Sequence, residues 1–213
     1  MNLYTYFRSS ASFRVRIVLN MKNLAYTSVP VHMLRNGGEQ NQPAYRDINP
    51  LGLVPTLELD DGHALTQSLA ICEFLEESHP DPALLPRDLL DRAWVRSLCN
   101  AIACDIHPLN NLRVLKYVKH ELGGGDDRKD AWYRHWIEVG FEPLEKMLAP
   151  RAGRYCLGDA FTLADAFLVP QVWNALRFEL PMDGFPTIMR IYRNAMALAP
   201  VDQAQPSKQP DAE

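Results

Sequence analysis

The chain has 213 residues, of which 47% are hydrophobic and 23% charged, and its formal net charge is −4. At roughly 100–200 residues per domain, this length predicts one large domain or two small ones, and the composition excludes a wholly disordered chain. The acidic balance disfavours nucleic-acid binding, which usually needs a basic surplus. No run approaches the ~18 apolar residues of a membrane span, and we expect neither a membrane segment nor a signal peptide.

The first 80 residues alternate between strand-like and helix-like segments. Strands are predicted over 3–7, 27–33, 54–59 and 63–65, and helices over 10–23 and 67–78. Pro30 places the second strand at a sheet edge or makes it irregular. Ser12, Arg16 and Asn20 form a polar stripe on the first helix. The order β-α-β-(α)-β-β-α predicts a mixed α/β domain over residues 1–80.

A proline-rich stretch predicts a linker over 81–87. The remainder, 88–213, is predicted to be all-helical, with helices over roughly 88–122, 127–149, 162–178 and 185–198. Thr162 and Asp165 form a capping box at the start of the third of these helices. The polar, proline-containing residues 201–213 are predicted to be a loose tail.

The four cysteines, at positions 72, 99, 104 and 156, form no C-x-x-C pair. A zinc ribbon and a dithiol redox motif are therefore unsupported, and we expect no metal site. We predict reduced core cysteines in a cytoplasmic protein.

The turn between the first strand and the first helix is rich in hydroxyl groups, with the sequence Arg-Ser-Ser-Ala-Ser over residues 8–12. Free amides and the helix dipole favour an anion at a helix N-terminus. A thiol held there would lose its proton more readily than a free thiol, whose pKa is about 8.5. Because the turn has no cysteine, such a sulfur has to come from a ligand. Ordinary capping by Ser9 or Ser10 is the alternative.

Two other segments suit a peptide-like ligand. A cis bond between Val54 and Pro55 would present the Val54 amide and carbonyl for strand-like pairing. Ser68, near the start of the next helix, can bind a carboxylate with its hydroxyl and amide, or simply cap the helix. Arg14 lies in the apolar arc of the first helix, where a buried guanidinium needs a carboxylate or a carbonyl as its partner.

Together these features resemble the zeta-class glutathione transferases, over essentially the whole chain. The most distinctive segment is residues 6–17 (YFRSSASFRVRI), and the other matching segments are 49–50, 54–57, 67–71, 105–111, 155–159 and 168–172. The resemblance implies an α/β thioredoxin-like N-terminal domain, an all-α C-terminal domain that binds substrate, glutathione as cofactor, and a homodimer. Ala11 stands where the family usually has cysteine, which disfavours conjugation or dehalogenation through a protein thiol.

The resemblance also implies roles for particular residues. Ser9 matches the family's catalytic serine, and the expected catalytic residues are Arg8, Ser9, Ser10 and Arg177. The residues expected to bind the carboxylates of a small dicarboxylate substrate are Arg8, Arg113 and Arg177. The residues expected to bind glutathione are Ser9, Val54, Pro55, Gln67, Ser68, His107 and Asn111. A solvated helix face for Arg113 and an interhelical contact for His107 remain the structural alternatives.

The implied activity is cis–trans isomerisation of maleylacetoacetate to fumarylacetoacetate, in tyrosine and phenylalanine catabolism, by reversible addition of a thiolate to the alkene. One alternative is maleylpyruvate isomerisation in the gentisate pathway, although the loop over residues 35–39 favours the larger substrate. Further alternatives are a zeta-class transferase or dehalogenase, and a non-catalytic binding module.

Overall fold

The computed structural model describes residues 1–213, and the chain divides into two compact units. Unit 1 comprises Met1–Leu84 together with Ala197–Glu213, and unit 2 comprises Leu85–Met196. This division differs from the expected domains 1–80 and 88–213 with a linker at 81–87. Leu84 and Leu85 are both buried, so the proline-rich stretch is packed rather than loose.

Unit 1 contains a four-stranded mixed sheet in the order β2-β1-β3-β4. Its elements are β1 (Asn2–Thr5), α1 (Ser10–Met21), β2 (Thr27–Pro30), α2 (Pro43–Arg46), β3 (Thr56–Glu58), β4 (Ala64–Thr66) and α3 (Ser68–Ser78). β1 runs parallel to β2 and antiparallel to β3, which is antiparallel to β4. The predicted α/β order is confirmed, and β2, which ends at Pro30, is an edge strand.

The register of the sheet decides which loops share an edge. Tyr4 of β1 pairs with Thr56 of β3, and Thr56 also pairs with Thr66 of β4. The end of β1, the beginning of β3 and the end of β4 therefore lie at one edge. Leu3 and Leu57, which pair within the sheet, are fully buried and hold it in the core of the unit.

Unit 2 is helical, and no helix of the chain is both long enough and apolar enough to cross a membrane. Its helices are α4 (Leu89–Asn100), α5 (Leu112–Lys116), α6 (Gly125–Leu148), α7 (Leu163–Arg177) and α8 (Pro186–Met196). The prediction of one helix over 88–122 is wrong. The α-helix is interrupted by π-helical turns at Ala101–Ile106 and Tyr117–Glu121 and by a 3₁₀ turn at His107–Asn110. Pro108, which has no N–H and crowds the preceding turn, accounts for the break beside it.

The predicted capping box is present at the start of α7. The Thr162 N–H and hydroxyl donate to one oxygen of the buried Asp165 carboxylate, at 2.8 and 2.9 Å. The Cys156 N–H donates to the other oxygen at 2.8 Å, so the carboxylate also holds the preceding loop. Burial raises the pKa of Asp165, and these hydrogen bonds oppose that rise.

The prediction of a loose tail over 201–213 is wrong. The C-terminal segment (Ala197–Glu213) contains α9 (Ala199–Ala204), which packs against α1 with Val201 and Ala204 fully buried. Its backbone carbonyls accept from the polar stripe of α1. Arg16 Nε donates to the Ala204 carbonyl at 2.9 Å, and Asn20 Nδ2 donates to the Pro200 carbonyl at 3.0 Å. A polar composition therefore did not indicate disorder here, because the partners of the segment are themselves polar.

All four cysteines are free thiols. Cys72, Cys99 and Cys156 are buried, as predicted, but Cys104 is exposed, which corrects the expectation of four core residues. Burial raises the pKa of Cys72 and of Cys156.

Candidate active site

The turn that follows β1 presents Ser9 at the N-terminus of α1. The Ser9 N–H donates to the Tyr6 carbonyl at 2.9 Å, and the Ser9 hydroxyl oxygen, as N-cap, accepts from the Ser12 N–H at 3.2 Å. A hydroxyl that accepts one hydrogen bond still has its own hydrogen to donate. The first turn of α1 contains no acidic residue, so the positive end of the helix dipole is not neutralised there. Capping and anion binding by Ser9 are therefore compatible.

The neighbouring residues of this turn are less accessible. Ser10 and Ala11, the first two residues of α1, are buried, whereas Ser9 is only half-buried. Ser9 is therefore the more exposed of two serines that the sequence pattern could not distinguish.

Arg8 is held beside the turn by aromatic residues. Its Nε and one terminal nitrogen donate to the Tyr6 hydroxyl at 3.2 and 2.8 Å. Its guanidinium carbon lies 5.0 Å from the centre of the Phe7 ring. Because a guanidinium has five N–H donors, these contacts orient Arg8 and leave donors for a carboxylate.

Val54 offers unpaired backbone groups at the same sheet edge. It precedes β3, the Val54–Pro55 bond is cis, and the Val54 amide and carbonyl form no hydrogen bond within the unit. The preceding Leu53 carbonyl is held firmly, since the Tyr45 hydroxyl and Asn49 Nδ2 donate to it at 2.6 and 2.7 Å. The Val54 donor and acceptor are therefore fixed in place, as strand-like pairing with a peptide requires.

The start of α3 lies at this edge as well. Gln67 has a φ of 69°, a left-handed conformation that is unusual for a residue other than glycine and often marks a functional site. The Ser68 hydroxyl accepts from an Arg14 terminal nitrogen at 3.2 Å, and Arg14 is buried. A serine hydroxyl is thus one polar partner of Arg14, where the sequence predicted a carboxylate or a carbonyl. Ser68 is itself buried, its hydroxyl has a hydrogen left to donate, and the first turn of α3 has no acidic residue.

In unit 2, the segment between α4 and α5 carries His107 and Asn111, and α5 carries Arg113. His107 and Asn111 are half-buried and Arg113 is exposed. Asn111 is the N-cap of α5, and its side-chain oxygen accepts from the Arg113 N–H at 3.1 Å. Arg113 thus lies in the first turn of a short helix, and its guanidinium faces solvent.

Arg177, the last residue of α7, lies among aromatic rings that sequence reasoning missed. Its guanidinium carbon is 4.6 Å from the centre of the Phe178 ring, 5.3 Å from Trp173 and 6.0 Å from Tyr133. The pKa of Tyr133 is raised by burial, and the nearby positive charge of Arg177 opposes that rise. Trp173 and Arg177 are four residues apart and so lie on one helix face. This spacing was the signal in the sequence that indicated their contact.

Contacts with α6 bring the His107–Asn111 segment close to Arg177. Asn110 Nδ2 donates to the Tyr133 carbonyl at 3.1 Å, and the Trp132 indole N–H donates to the Leu109 carbonyl at 2.8 Å. Tyr133 is also the residue whose ring contacts Arg177. The structure therefore gathers the expected residues of unit 1 at one sheet edge. In unit 2, the 107–111 segment and Arg177 both contact Tyr133.

Comparisons of the sequence and of the structure with known proteins find relatives of one family. A family model of the glutathione S-transferase N-terminal domain matches residues 8–78. A probable maleylacetoacetate isomerase from Vibrio cholerae is 49% identical, over 99% of this chain and 97% of its own length.

Two solved structures match the whole chain over their whole length. One is the holo structure of maleylpyruvate isomerase, a bacterial zeta-class glutathione transferase, with a TM-score of 0.96 and 41% identity. The other is maleylacetoacetate isomerase from Methylobacterium extorquens AM1 with bound malonate and GSH, with a TM-score of 0.95 and 39% identity.

Proposed function

This chain belongs to the glutathione S-transferase family, among the maleylacetoacetate isomerases and zeta-class enzymes, and from that premise we propose that it isomerises maleylacetoacetate to fumarylacetoacetate with glutathione as cofactor. The observation that carries the proposal is the half-buried Ser9 hydroxyl at the N-terminus of α1, beside a first turn with no acidic residue. That arrangement suits a thiolate, and no cysteine of the chain lies in the turn.

The residues at the sheet edge fit glutathione, a peptide with a thiol and two carboxylates. We propose that the Val54 amide and carbonyl, next to Pro55, pair with its backbone, because these groups are held rigidly and have no partner within unit 1. Gln67 and the hydroxyl and amide of Ser68 would bind a carboxylate at the N-terminus of α3. The family resemblance adds His107 and Asn111 as further contacts.

Glutathione supplies the nucleophile, whose addition turns the alkene into a single bond that can rotate and whose departure restores the double bond. The chain stabilises the thiolate before it adds and after it leaves. Ser9 donates its hydroxyl hydrogen to the sulfur, and the helix dipole favours the negative charge. We assign this role to Ser9, which is the half-buried N-cap of α1, whereas Ser10 lies within the helix.

Arginines provide the binding energy for the two carboxylates of the substrate. A guanidinium binds a carboxylate through two parallel hydrogen bonds. Arg8 is oriented by Tyr6 and Phe7, and Arg177 by the aromatic rings around it, so both bind with little loss of side-chain freedom. Arg113 is the third candidate, and like Arg177 it is exposed.

Maleylpyruvate isomerisation is the second candidate, and the observation that favours it is the similarity to the holo maleylpyruvate isomerase over the full length of both chains. The same thiolate chemistry would serve, since that substrate is a shorter cis-alkene with two carboxylates. Conjugation or dehalogenation that uses a protein thiol is disfavoured by Ala11.

We also propose that the protein is a cytoplasmic homodimer. Four free thiols in one chain suit a reducing compartment. The homodimer follows from the family resemblance. Sedimentation is expected to give twice the 24.2 kDa mass of the chain, and a species of 24.2 kDa would contradict the proposal.

The choice of substrate is tested by measuring kcat/KM for maleylacetoacetate and maleylpyruvate with the same protein, at saturating glutathione. We expect the larger substrate to be preferred by about tenfold, which corresponds to about 1.4 kcal/mol. A preference for maleylpyruvate would assign the protein to the second candidate function.

A further inference from the structure

The backbone of the Ser9 turn is held by two side chains from outside the turn. The Tyr6 carbonyl accepts from the Ser9 N–H at 2.9 Å and from an Arg16 terminal nitrogen at 3.4 Å. The Phe7 carbonyl accepts from the other Arg16 terminal nitrogen at 3.0 Å. The Phe7 N–H donates to Asp211 Oδ2 at 2.9 Å. The peptide groups that set the position of Ser9 are thus fixed by Arg16 and Asp211.

Arg16 joins three parts of unit 1. Besides the turn, its guanidinium donates to Thr5 Oγ1 of β1 at 3.0 Å and to the Ala204 carbonyl at 2.9 Å. Burial lowers the pKa of Arg16 to about 10, and the charge of Asp211 opposes this. The planar guanidinium fixes the directions of its donors. Arg16 therefore fixes the positions of the turn, β1 and the C-terminal segment relative to one another.

Asp211 reaches the turn from 204 residues away in the sequence. The C-terminal segment that carries it is itself held, since Gln209 Nε2 donates to the carbonyls of Gln203 and Gln205 at 2.9 and 3.0 Å. A carboxylate that accepts from a backbone amide makes a charge-assisted, stronger hydrogen bond. Asp211 therefore restrains the Phe7 amide, and the C-terminal segment that carries Asp211 is itself held in place by hydrogen bonds.

We propose that Asp211, acting with Arg16, is a positioning residue for catalysis: the C-terminal segment aligns Ser9 with the N-terminus of α1. The inference rests on the proposed function, in which Ser9 and the α1 amides stabilise a thiolate. Release of the Phe7 amide would let the turn shift relative to α1. Displacements of about 1 Å in an active site can lower the rate by about 10²-fold. The residues proposed to bind glutathione at Val54 and Ser68 would be unaffected.

The test compares Asp211→Ala and Asp211→Asn with the control Asn20→Ala, which removes a different side-chain contact between α1 and the C-terminal segment. The pKa of the bound glutathione thiol is measured from the ultraviolet absorbance of the thiolate, with kcat, the glutathione Kd and Tm. Asp211→Ala is expected to raise the thiol pKa and lower kcat at least about tenfold, with less than about threefold change in Kd.

The other two variants show whether the effect is positional. The side-chain amide introduced by Asp211→Asn is a neutral acceptor and hence a weaker one, so this variant should give a thiol pKa and a kcat between those of the wild type and Asp211→Ala. Asn20→Ala should lower Tm without changing the thiol pKa or kcat, because Asn20 lies at the opposite end of α1 from Ser9.

Three outcomes would overturn the proposal. The first is a wild-type thiol pKa and kcat in Asp211→Ala. The second is a loss confined to Tm, as in the control. The third, decisive if Asp211→Ala does not fold, is a wild-type thiol pKa and kcat in Asp211→Asn. Absence of isomerase activity in the wild type would instead refute the proposed function, since the thiol pKa of bound glutathione still reports on the turn.

Discussion

At the residue scale, the proposed catalysis depends on the Ser9 hydroxyl serving as N-cap and as donor to a thiolate. The oxygen accepts from the Ser12 N–H at 3.2 Å, which leaves the hydroxyl hydrogen for the sulfur. The sequence placed Ser9 in a strand-to-helix turn, and the family resemblance gave it a catalytic role. It could not separate Ser9 from Ser10, because that difference is one of burial and arises only when α1 packs on the sheet.

Replacing Ser9 with alanine is expected to lower kcat by about 10²-fold, comparable to the loss of one donor from an oxyanion site. Glutathione affinity should change little, because Val54 and Ser68 are retained. Loss of the N-cap should also cost about 1 kcal/mol of unfolding free energy. Steady-state kinetics, glutathione titration and denaturant unfolding measure the three effects. Ser9→Thr, which keeps the hydroxyl, is the control, and near wild-type turnover in Ser9→Ala would refute the assignment.

Arg177→Lys keeps the positive charge but loses the planar donor pair and the stacking on Phe178 and Trp173. We expect the KM for the dicarboxylate substrate to rise about tenfold, about 1.4 kcal/mol, with a smaller change in kcat. Arg193→Lys, on the exposed surface of α8, is the matched control and should leave both constants unchanged. An unchanged KM in Arg177→Lys would exclude Arg177 from carboxylate binding.

At the scale of elements, the sequence predicted what local signals determine. The strands, the edge position of β2 and the capping box of α7 follow from short patterns of apolar residues, proline and threonine, and the structure confirms them. It did not predict α9 or the packing of the C-terminal segment, because the partners of that segment are Arg16 and Asn20, about 180 residues away. Polar stripes usually face solvent, and here one faces backbone carbonyls.

The buried Lys22, just after α1, also contacts residues that are distant in the sequence. Its ammonium lies 2.7 Å from the Glu76 carboxylate of α3 and donates to the His79 and Pro82 carbonyls, so it holds the stretch after α3 against α1. Lys22→Met would leave Glu76 buried without this cation, and we expect a loss of about 3–5 kcal/mol of unfolding free energy.

The matched control for that prediction is Lys208→Met. Lys208 lies 3.7 Å from Asp202 with both side chains exposed, and such a surface pair contributes about 0–1 kcal/mol. Urea unfolding of the two variants measures the difference. Equal, small losses would show that the Lys22 contacts do not stabilise unit 1.

At the scale of the whole molecule, the net charge of −4 does not attract a dianionic substrate. We therefore propose that attraction is local, from Arg8, Arg113 and Arg177 and from the N-termini of α1 and α3. The excess of acidic residues that disfavoured nucleic acid thus says little about the small-molecule ligand. The proline-rich stretch predicted a boundary at 81–87. The sequence could not predict that residues 197–213 return to unit 1, since this depends on long-range hydrogen bonds.

The proposed role of glutathione is tested most directly by the rate of maleylacetoacetate isomerisation by the purified wild-type protein as glutathione is varied. We predict no activity above the uncatalysed rate without glutathione and saturable activation with it. Glutathione should be recovered in full, since the thiolate that adds to the alkene leaves again. An equal enzymatic rate without glutathione, or consumption of one glutathione for each substrate converted, would contradict the account.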